Sequence, residues 1–305
     1  MKKNILPSPD FCRQQGFTLI ELMVSITVGL IILIFISSMF VSSKGSYNIN
    51  DDNSRLQEDG RYAMGLIGRS IMQAGYGRIV TATTTDFVKA DGSPAQGLLG
   101  CNFGFNIPTD TSLAPACATT ASTPGIQIRY RTDDQYDANT GTGADCNGQN
   151  AAKKNANGSD NKTATDPGIV TNRFYLDKKA GETTTSLYCN GSGNFANPQP
   201  ILSNVENMVI TYGADTTGNF TPDQYTTDAT VIDALPVSAQ NSKDSWNQVI
   251  SVKVCLLVAS ANNVAPSFQT YTKCDGTSQT ATDKKLRSTF TNVFTIRNNA
   301  TPSLK

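Results

Sequence analysis

The longest apolar pattern in the chain lies near its N-terminus. Residues 17–41 read FTLIELMVSITVGLIILIFISSMFV, in which Glu21 is the only charged side chain. A helix of this length spans roughly 37 Å, whereas the hydrocarbon core of a bilayer is about 30 Å thick. The pattern therefore predicts a transmembrane helix over residues 17–44.

After the membrane segment the pattern becomes that of an amphipathic helix. Apolar or small residues recur at steps of three and four, at Leu56, Ala63, Leu66, Ile67, Ser70, Ile71 and Ala74. No proline falls between Phe17 and Thr85, and Gly75 and Gly77 supply a stop. We therefore predict that the helix continues over residues 45–77. Glycines within the long helix weaken it by roughly 1 kcal/mol each relative to alanine, among them Gly29, Gly60, Gly65 and Gly68.

The remaining residues, 78–305, carry the signals of a β-rich domain. Alternating or β-branched segments occur at 126–131, 172–176, 186–189, 205–213, 246–260 and 290–298, and we predict a strand in each. Residues 133–168 contain no Leu, Ile, Val, Phe or Met, so they predict a polar surface loop. The predicted fold class is α+β, with a long N-terminal helix packed on a β-rich globular domain.

Composition and motifs exclude several classes of function. The chain has 25 basic and 25 acidic side chains, so it lacks the excess positive charge that is typical of a nucleic-acid-binding protein. It has no histidine, which removes Ser-His-Asp and Cys-His catalysis and His-ligated zinc. No G-x-S-x-G, G-x-G-x-x-G or P-loop motif occurs. We predict a structural and interaction protein, not an enzyme, with no cofactor.

One segment offers candidate metal ligands. In GADTTGNFTPDQY, the oxygen-bearing residues Asp215, Thr217, Asn219 and Asp223 stand at alternate positions, as in a calcium-binding loop. The segment lacks the glycine and the glutamate that an EF-hand loop requires at its sixth and twelfth positions. A polar turn before the next strand is the simpler interpretation, because such turns are common without a metal.

The short leader in front of the apolar run indicates membrane topology. Residues 1–16 carry Lys2, Lys3 and Arg13 against Asp10. The positive-inside rule places this leader in the cytoplasm and the chain after Lys44 on the other side. An ordinary signal peptide cleaved before Lys44 is the alternative, but its apolar core is typically only about 7–15 residues long.

The residues at the start of the apolar run, Gly16-Phe17-Thr18-Leu19-Ile20-Glu21, resemble the processing site of type IV pilins. The resemblance implies that a prepilin peptidase cuts between Gly16 and Phe17 and that Phe17 is then N-methylated. It also implies that Glu21 pairs with the N-terminal amine of a neighbouring subunit. An intramembrane carboxylate is costly and is by default functional, which agrees with such a role.

Cysteine counting agrees with this cleavage. Of seven cysteines, Cys12 lies in the leader, so processing leaves six on the exported side. An even number in an oxidising compartment predicts disulfides, and six cysteines allow 15 connectivities. Pairing of sequence neighbours gives Cys101–Cys117, Cys146–Cys189 and Cys255–Cys274. The alternative is that some of these cysteines are free buried thiols.

Further segments resemble one particular pilin family, PilW. They are QAGYGR at 73–78, NVENMVITYG ending at Gly213, the strand W…VISVKVCLLV and the closing F…IRN. The resemblance implies a type IV pilin-like fold and a minor pilin that primes pilus assembly or sits at the tip. The implied partners are the prepilin peptidase, other minor pilins and the major pilin.

The implied location is the inner membrane, as a single-pass protein with its C-terminal domain in the periplasm, and then the pilus surface. Two alternatives for the function stay open: a J-type pseudopilin of type II secretion, and a pilus-tip adhesin module.

Overall fold

The structure is a computed structural model, which describes residues 16–77, 79–81, 84–85, 87, 95–112, 114–120, 123–131, 144–149, 169–179, 181–236 and 244–299. The chain divides into two compact units, residues 1–50 and 51–305. The long helix α1 (Leu19–Gln73) contributes to both units. The described part of the first unit consists of residues 16–18 and the first part of α1.

In the second unit, α1 packs one face against the β-rich domain. Its buried residues include Leu56, Ala63, Ile67, Ser70 and Ile71, as the helical spacing predicts. The helix ends at Gln73, close to the predicted glycine stop, and Gly75 adopts a left-handed φ of 71°. The Gly75 amide then donates to the carbonyl of Arg129 at 2.9 Å, so the chain leaves the helix directly onto a strand.

Two antiparallel sheets make up most of the second unit. The first has the strand order β3-β4-β5-β6-β7, with β3 (Leu98–Cys101), β4 (Gly125–Arg131), β5 (Ile169–Asp177), β6 (Ser186–Gly191) and β7 (Gln199–Ser203). The second has the order β13-β10-β8-β9, with β8 (Val205–Ala214), β9 (Gln224–Thr226), β10 (Val249–Ala259) and β13 (Arg287–Thr295).

Shorter elements complete the described fold. They are the strand pair β1 (Ile79–Thr81) and β2 (Thr84–Thr85), the helix α2 (Ala229–Asp233), the 3-10 turn Ser245–Gln248, and the hairpin β11 (Thr270–Thr272) and β12 (Ser278–Thr280). The 3-10 turn overlaps the start of the predicted strand 246–260, and the other elements lie outside the strands predicted from the sequence. They are too short for a periodic pattern to show.

One hydrophobic core joins the helix and both sheets. In the five-stranded sheet, Ile126 lies opposite Phe174 and Phe174 opposite Cys189, and all three are almost fully buried. In the four-stranded sheet, Val254 and Leu256 of β10 enter the same core cluster as Ile67 of α1 and Ile126. The predicted α+β fold, a long N-terminal helix and a β-rich domain, is therefore confirmed.

Two predicted strand boundaries were wrong. Residues 246–248 form a 3-10 turn because Asp244 caps it, its carboxylate accepting from the Trp246 amide at 3.1 Å. Residues 296–298 lie beyond β13, where the Asn298 side-chain amide donates to the carbonyl of Ala74 at 2.9 Å. In both places a side chain that bonds to the backbone provides an alternative to the sheet ladder.

The predicted polar loop, 133–168, is described only at residues 144–149, and the rest lies outside the described residues. The described part departs from the prediction of a surface loop. Asp145 is 6% exposed and accepts from the Gly193 amide at 2.9 Å, while Cys146 is bonded to Cys189 of β6. The Asp145 carboxylate and the Cys146–Cys189 disulfide are thus among the contacts that attach residues 144–149 to the sheet.

Candidate processing and docking site

The residues predicted for processing stand at the start of α1. Gly16, Phe17 and Thr18 precede the helix, and Phe17 is 83% exposed. The Glu21 amide donates to Thr18 Oγ1 at 3.4 Å, and the Leu22 amide donates to the Thr18 carbonyl at 3.2 Å. Thr18 therefore caps the helix, and T-x-x-E is the spacing of a capping box.

This cap was missed in the sequence, although the Thr-x-x-Glu spacing could have indicated it. Its consequence is that Glu21 lies in the first turn of α1. Free backbone amides at a helix N-terminus favour a negative charge there. Gly16 and Phe17 lie outside the helix, and both are exposed.

The rest of the apolar segment presents its side chains outward. From Leu19 to Val41 the large apolar side chains are 50–76% exposed, and no residue of the most apolar window is buried. Three hydroxyls are satisfied by the helix itself, at Ser25, Thr27 and Ser38, each donating to a backbone carbonyl at 2.7–2.9 Å. By length and composition this helix is suited to cross a membrane.

The candidate metal-ligand segment forms a closed polar turn. Asp215 is buried, and its carboxylate accepts from the amides of Gly218 at 2.6 Å and Phe220 at 2.8 Å. Asp223 accepts from the Thr217 hydroxyl at 2.8 Å and from the amides of Thr216 and Thr217 at 3.1 Å.

These contacts affect the protonation of Asp223. The Thr217 hydroxyl bond, followed by the backbone amides, holds the pKa of Asp223 below its usual value. Because the carboxylates already face N–H donors, a bound cation would have to displace them. Within the described residues no group of three His, Cys, Asp or Glu side chains comes together as a metal site. The geometry favours the polar-turn interpretation of Asp215, Asn219 and Asp223.

Three disulfides join the same sequence neighbours that the cysteine counting predicts. They are Cys101–Cys117, Cys146–Cys189 and Cys255–Cys274. Each fastens a loop to a strand: the first closes the segment after β3, the second attaches residues 144–149 to β6, and the third attaches the β11–β12 hairpin to β10.

A buried arginine that sequence reasoning missed holds the first disulfide loop. Arg173 is fully buried, and its guanidinium donates to the carbonyls of Pro108 at 2.9 Å, Ser112 at 2.7 Å and Asp110. Its Nε donates to Gln127 Oε1 at 2.8 Å. Burial lowers the pKa of Arg173 to about 10, so it stays charged at neutral pH. No local pattern marks this role, because the acceptors lie 61–65 residues away.

A second arginine ties β13 to its surroundings. Arg287 donates to both oxygens of Glu206 at 2.8 Å and to Asp283 at 2.6 and 3.0 Å. Its guanidinium also lies 5.0 Å from the ring centre of Tyr271. The hydrogen bonds to Asp283 and Glu206 raise the pKa of Arg287, and the bond from Arg287 lowers that of Asp283.

Two protein families and one solved structure are similar to parts of this chain. Residues 12–37 match the family model described as the prokaryotic N-terminal methylation motif, and residues 173–298 match the model described as type IV pilus-assembly protein W, PilW. No curated protein sequence matches the chain. Among solved structures, a type IV-like pilin from Thermus thermophilus aligns over 81% of this chain and 99% of its own, with 11% identity and a TM-score of 0.45.

The methylation motif and the apolar helix behind it define a prepilin-type protein that is anchored in a membrane. The second match covers the strands from β5 to β13. The chain is therefore a type IV pilin-related protein, and its residues 173–298 are similar to the PilW family of pilus-assembly proteins. These similarities imply processing by a prepilin peptidase and interaction with other pilins, and they indicate a structural, non-enzymatic protein.

Proposed function

We propose that the chain is a minor pilin that takes part in priming a type IV pilus or in the complex at its tip. The observation that carries the proposal is the combination of the processing motif at 16–21 with the PilW match over 173–298. In this proposal the chain first sits in the inner membrane with its C-terminal domain in the periplasm, and then enters the pilus.

Processing comes first in this sequence of events. The peptidase cuts between Gly16 and Phe17, and Phe17 becomes the methylated N-terminus. The position of both residues ahead of helix α1, with Phe17 largely exposed, supports this step.

Glu21 then directs docking. In the membrane-held subunit its carboxylate lies close to the headgroup level, where water can reach it. Insertion among the apolar helices of other pilins removes that water, and an unpaired buried charge is expensive. Pairing with the amine of a neighbouring Phe17 offsets much of this cost and fixes the axial register between the two helices.

Two variants of Glu21 test the docking step. Glu21→Ala removes the carboxylate, and Glu21→Gln keeps its shape but not its charge. We expect both to leave cleavage intact and to reduce co-purification with the other minor pilins. Ser25→Ala is the matched control, because the Ser25 hydroxyl lies one turn away and donates only to the Glu21 carbonyl among its described contacts. Wild-type co-purification of both Glu21 variants would exclude charge pairing.

The biological role is tested by deleting the gene and counting surface pili. Loss of pili that is restored by the wild-type chain supports the assembly role. Normal piliation with loss of type II secretion would instead support the J-type pseudopilin, and normal piliation with loss of adhesion would support an adhesin.

A further inference from the structure

The two sheets have four edge strands, and three of them are protected against pairing with another chain. In the described structure β3 has four residues and β9 has three, which is too short for an extended ladder. β7 contains Pro200, and its pairing with β6 is interrupted by a register shift. Short edges, prolines and bulges are the devices by which natural proteins prevent edge-to-edge association.

The fourth edge strand, β13, lacks all of these devices. It has nine residues and pairs with β10 without a register shift. After Arg287, its first residue, it contains no charged residue and no proline up to its end at Thr295. Thr291, Asn292, Val293 and Thr295 are exposed, with Val293 at 57%. A long, regular, uncharged edge is a site for pairing with another strand.

The backbone direction of this edge is indicated by one hydrogen bond. The Val293 amide donates to Asn292 Oδ1 at 2.9 Å, in its own strand, so it points away from β10. Because backbone groups alternate along an antiparallel strand, the amides of Thr291 and Thr295 point the same way. The first part of the strand differs, because the Thr289 hydroxyl donates to the Thr272 carbonyl of the hairpin. Among the described residues, the stretch of β13 without a strand partner on its outer side is thus 291–295.

There is room beside this stretch for one more strand. A surface groove lies between β13 and helix α1, lined on the helix side by Gln57, Arg61, Met64 and Gly65. Gly65 has no atom within 4 Å of the place where a Cβ would stand. A strand added to the edge would lie about 4.8 Å from β13 and would cover this groove.

We infer that residues 291–295 of β13 form a docking edge that another pilin subunit extends with one of its own strands. The inference rests on the proposed function, since it specifies a surface through which the chain joins other pilins. The occupant is an extended segment held by main-chain hydrogen bonds, because residues 291–295 offer outward backbone groups and only short or uncharged side chains.

Hydrogen exchange at single-residue resolution tests the inference on the detergent-solubilised full chain, alone and co-purified with the other minor pilins. In the free chain we expect fast exchange at Thr291 and Thr295, and in the complex at least tenfold slower exchange at both. A complex that forms while these amides keep their free rates would overturn the docking edge and leave the proposed function standing. If the wild-type chain forms no complex, the proposed function fails and the docking edge fails with it.

Two variants and one truncation sharpen the test. Thr291→Pro removes an outward amide, which β10 does not need, and should reduce co-purification at least tenfold. Thr291→Val keeps the amide and should retain the complex. Loss of the complex in both would show that the Thr291 side chain matters instead of the backbone, and would refute strand addition. Slow exchange in the free chain that becomes fast on removal of residues 300–305 would show that the chain's own tail occupies the edge.

Discussion

Replacing Gly68 by alanine adds a single methyl group at the place where helix α1 meets β13. A Cβ at position 68 would overlap the ring of Phe294, which is 9% exposed. A Cβ at position 60 would overlap the ring of Phe290 in the same way. These two glycines therefore allow the helix to approach β13 closely, which their low helix propensity alone does not reveal.

The expected magnitude follows from two opposing effects. An exposed Gly→Ala change in a helix stabilises by about 1 kcal/mol, and overpacking a core costs about 1–3 kcal/mol. Because Phe294 is enclosed and cannot easily turn away, we expect the overpacking cost to lie in the upper part of that range, at about 2–3 kcal/mol. Gly68→Ala should therefore lower the free energy of unfolding by about 1–2 kcal/mol net. In a unit of this size that lowers the Tm by roughly 3–6 °C.

Gly65 provides the matched control in the same helix. It is exposed and has open space at its Cβ position, so Gly65→Ala should raise the Tm by roughly 2–4 °C. Gly60→Ala should fall between the two, because Phe290 is only partly buried and has more freedom to move.

The assay uses the only tryptophan of the chain. Trp246 is 1% exposed, its Nε1 donates to Asp233 at 2.7 Å, and its ring centre lies 5.1 Å from that of Tyr212. Its fluorescence reports unfolding of the second unit in the full-length protein in detergent. The double variant Gly68→Ala/Phe294→Leu should recover part of the loss that Gly68→Ala causes. A rise in Tm for Gly68→Ala equal to that for Gly65→Ala would refute the close-approach argument.

Three further predictions concern processing and the two arginines. Mass spectrometry of the membrane-extracted protein should find a methylated Phe17 at the N-terminus, and Gly16→Leu should leave the uncut precursor; a start at Lys44 would restore the signal peptide. Arg173→Met leaves loop carbonyls without donors at a cost of about 1–3 kcal/mol. A protease should then cut the loop between Cys101 and Cys117, and the two fragments should separate only after the disulfide is reduced. The lowered pKa of Asp283 means that its contribution to stability is present above an unfolded pKa of about 3.9 and is lost as pH falls through the folded value. Arg287→Met should therefore flatten the loss of stability below about pH 4, and an unchanged acid profile would contradict this.

The sequence by itself determined the features that depend on local pattern. The apolar run at 17–41, the helical spacing from Leu56 to Ala74 and the alternation in six segments each extend over many residues, so they identify the long helix and the six longer strands. The processing motif at 16–21 is equally local. The even number of exported cysteines is also read from the sequence, whereas the choice among 15 connectivities depends on which segments the fold brings together.

Only the tertiary structure decided what depends on the register between distant segments. From the sequence, Gly60 and Gly68 are expected only to weaken the helix. The structure shows that they allow α1 to pack closely against Phe290 and Phe294. In the sequence, Arg173 cannot be distinguished from other polar residues of a strand. Its hydrogen-bond acceptors belong to a distant loop, which a disulfide holds over the sheet. The docking edge on β13 exists because the strand order leaves that strand outermost, and strand order is set by long-range packing that no local periodicity encodes.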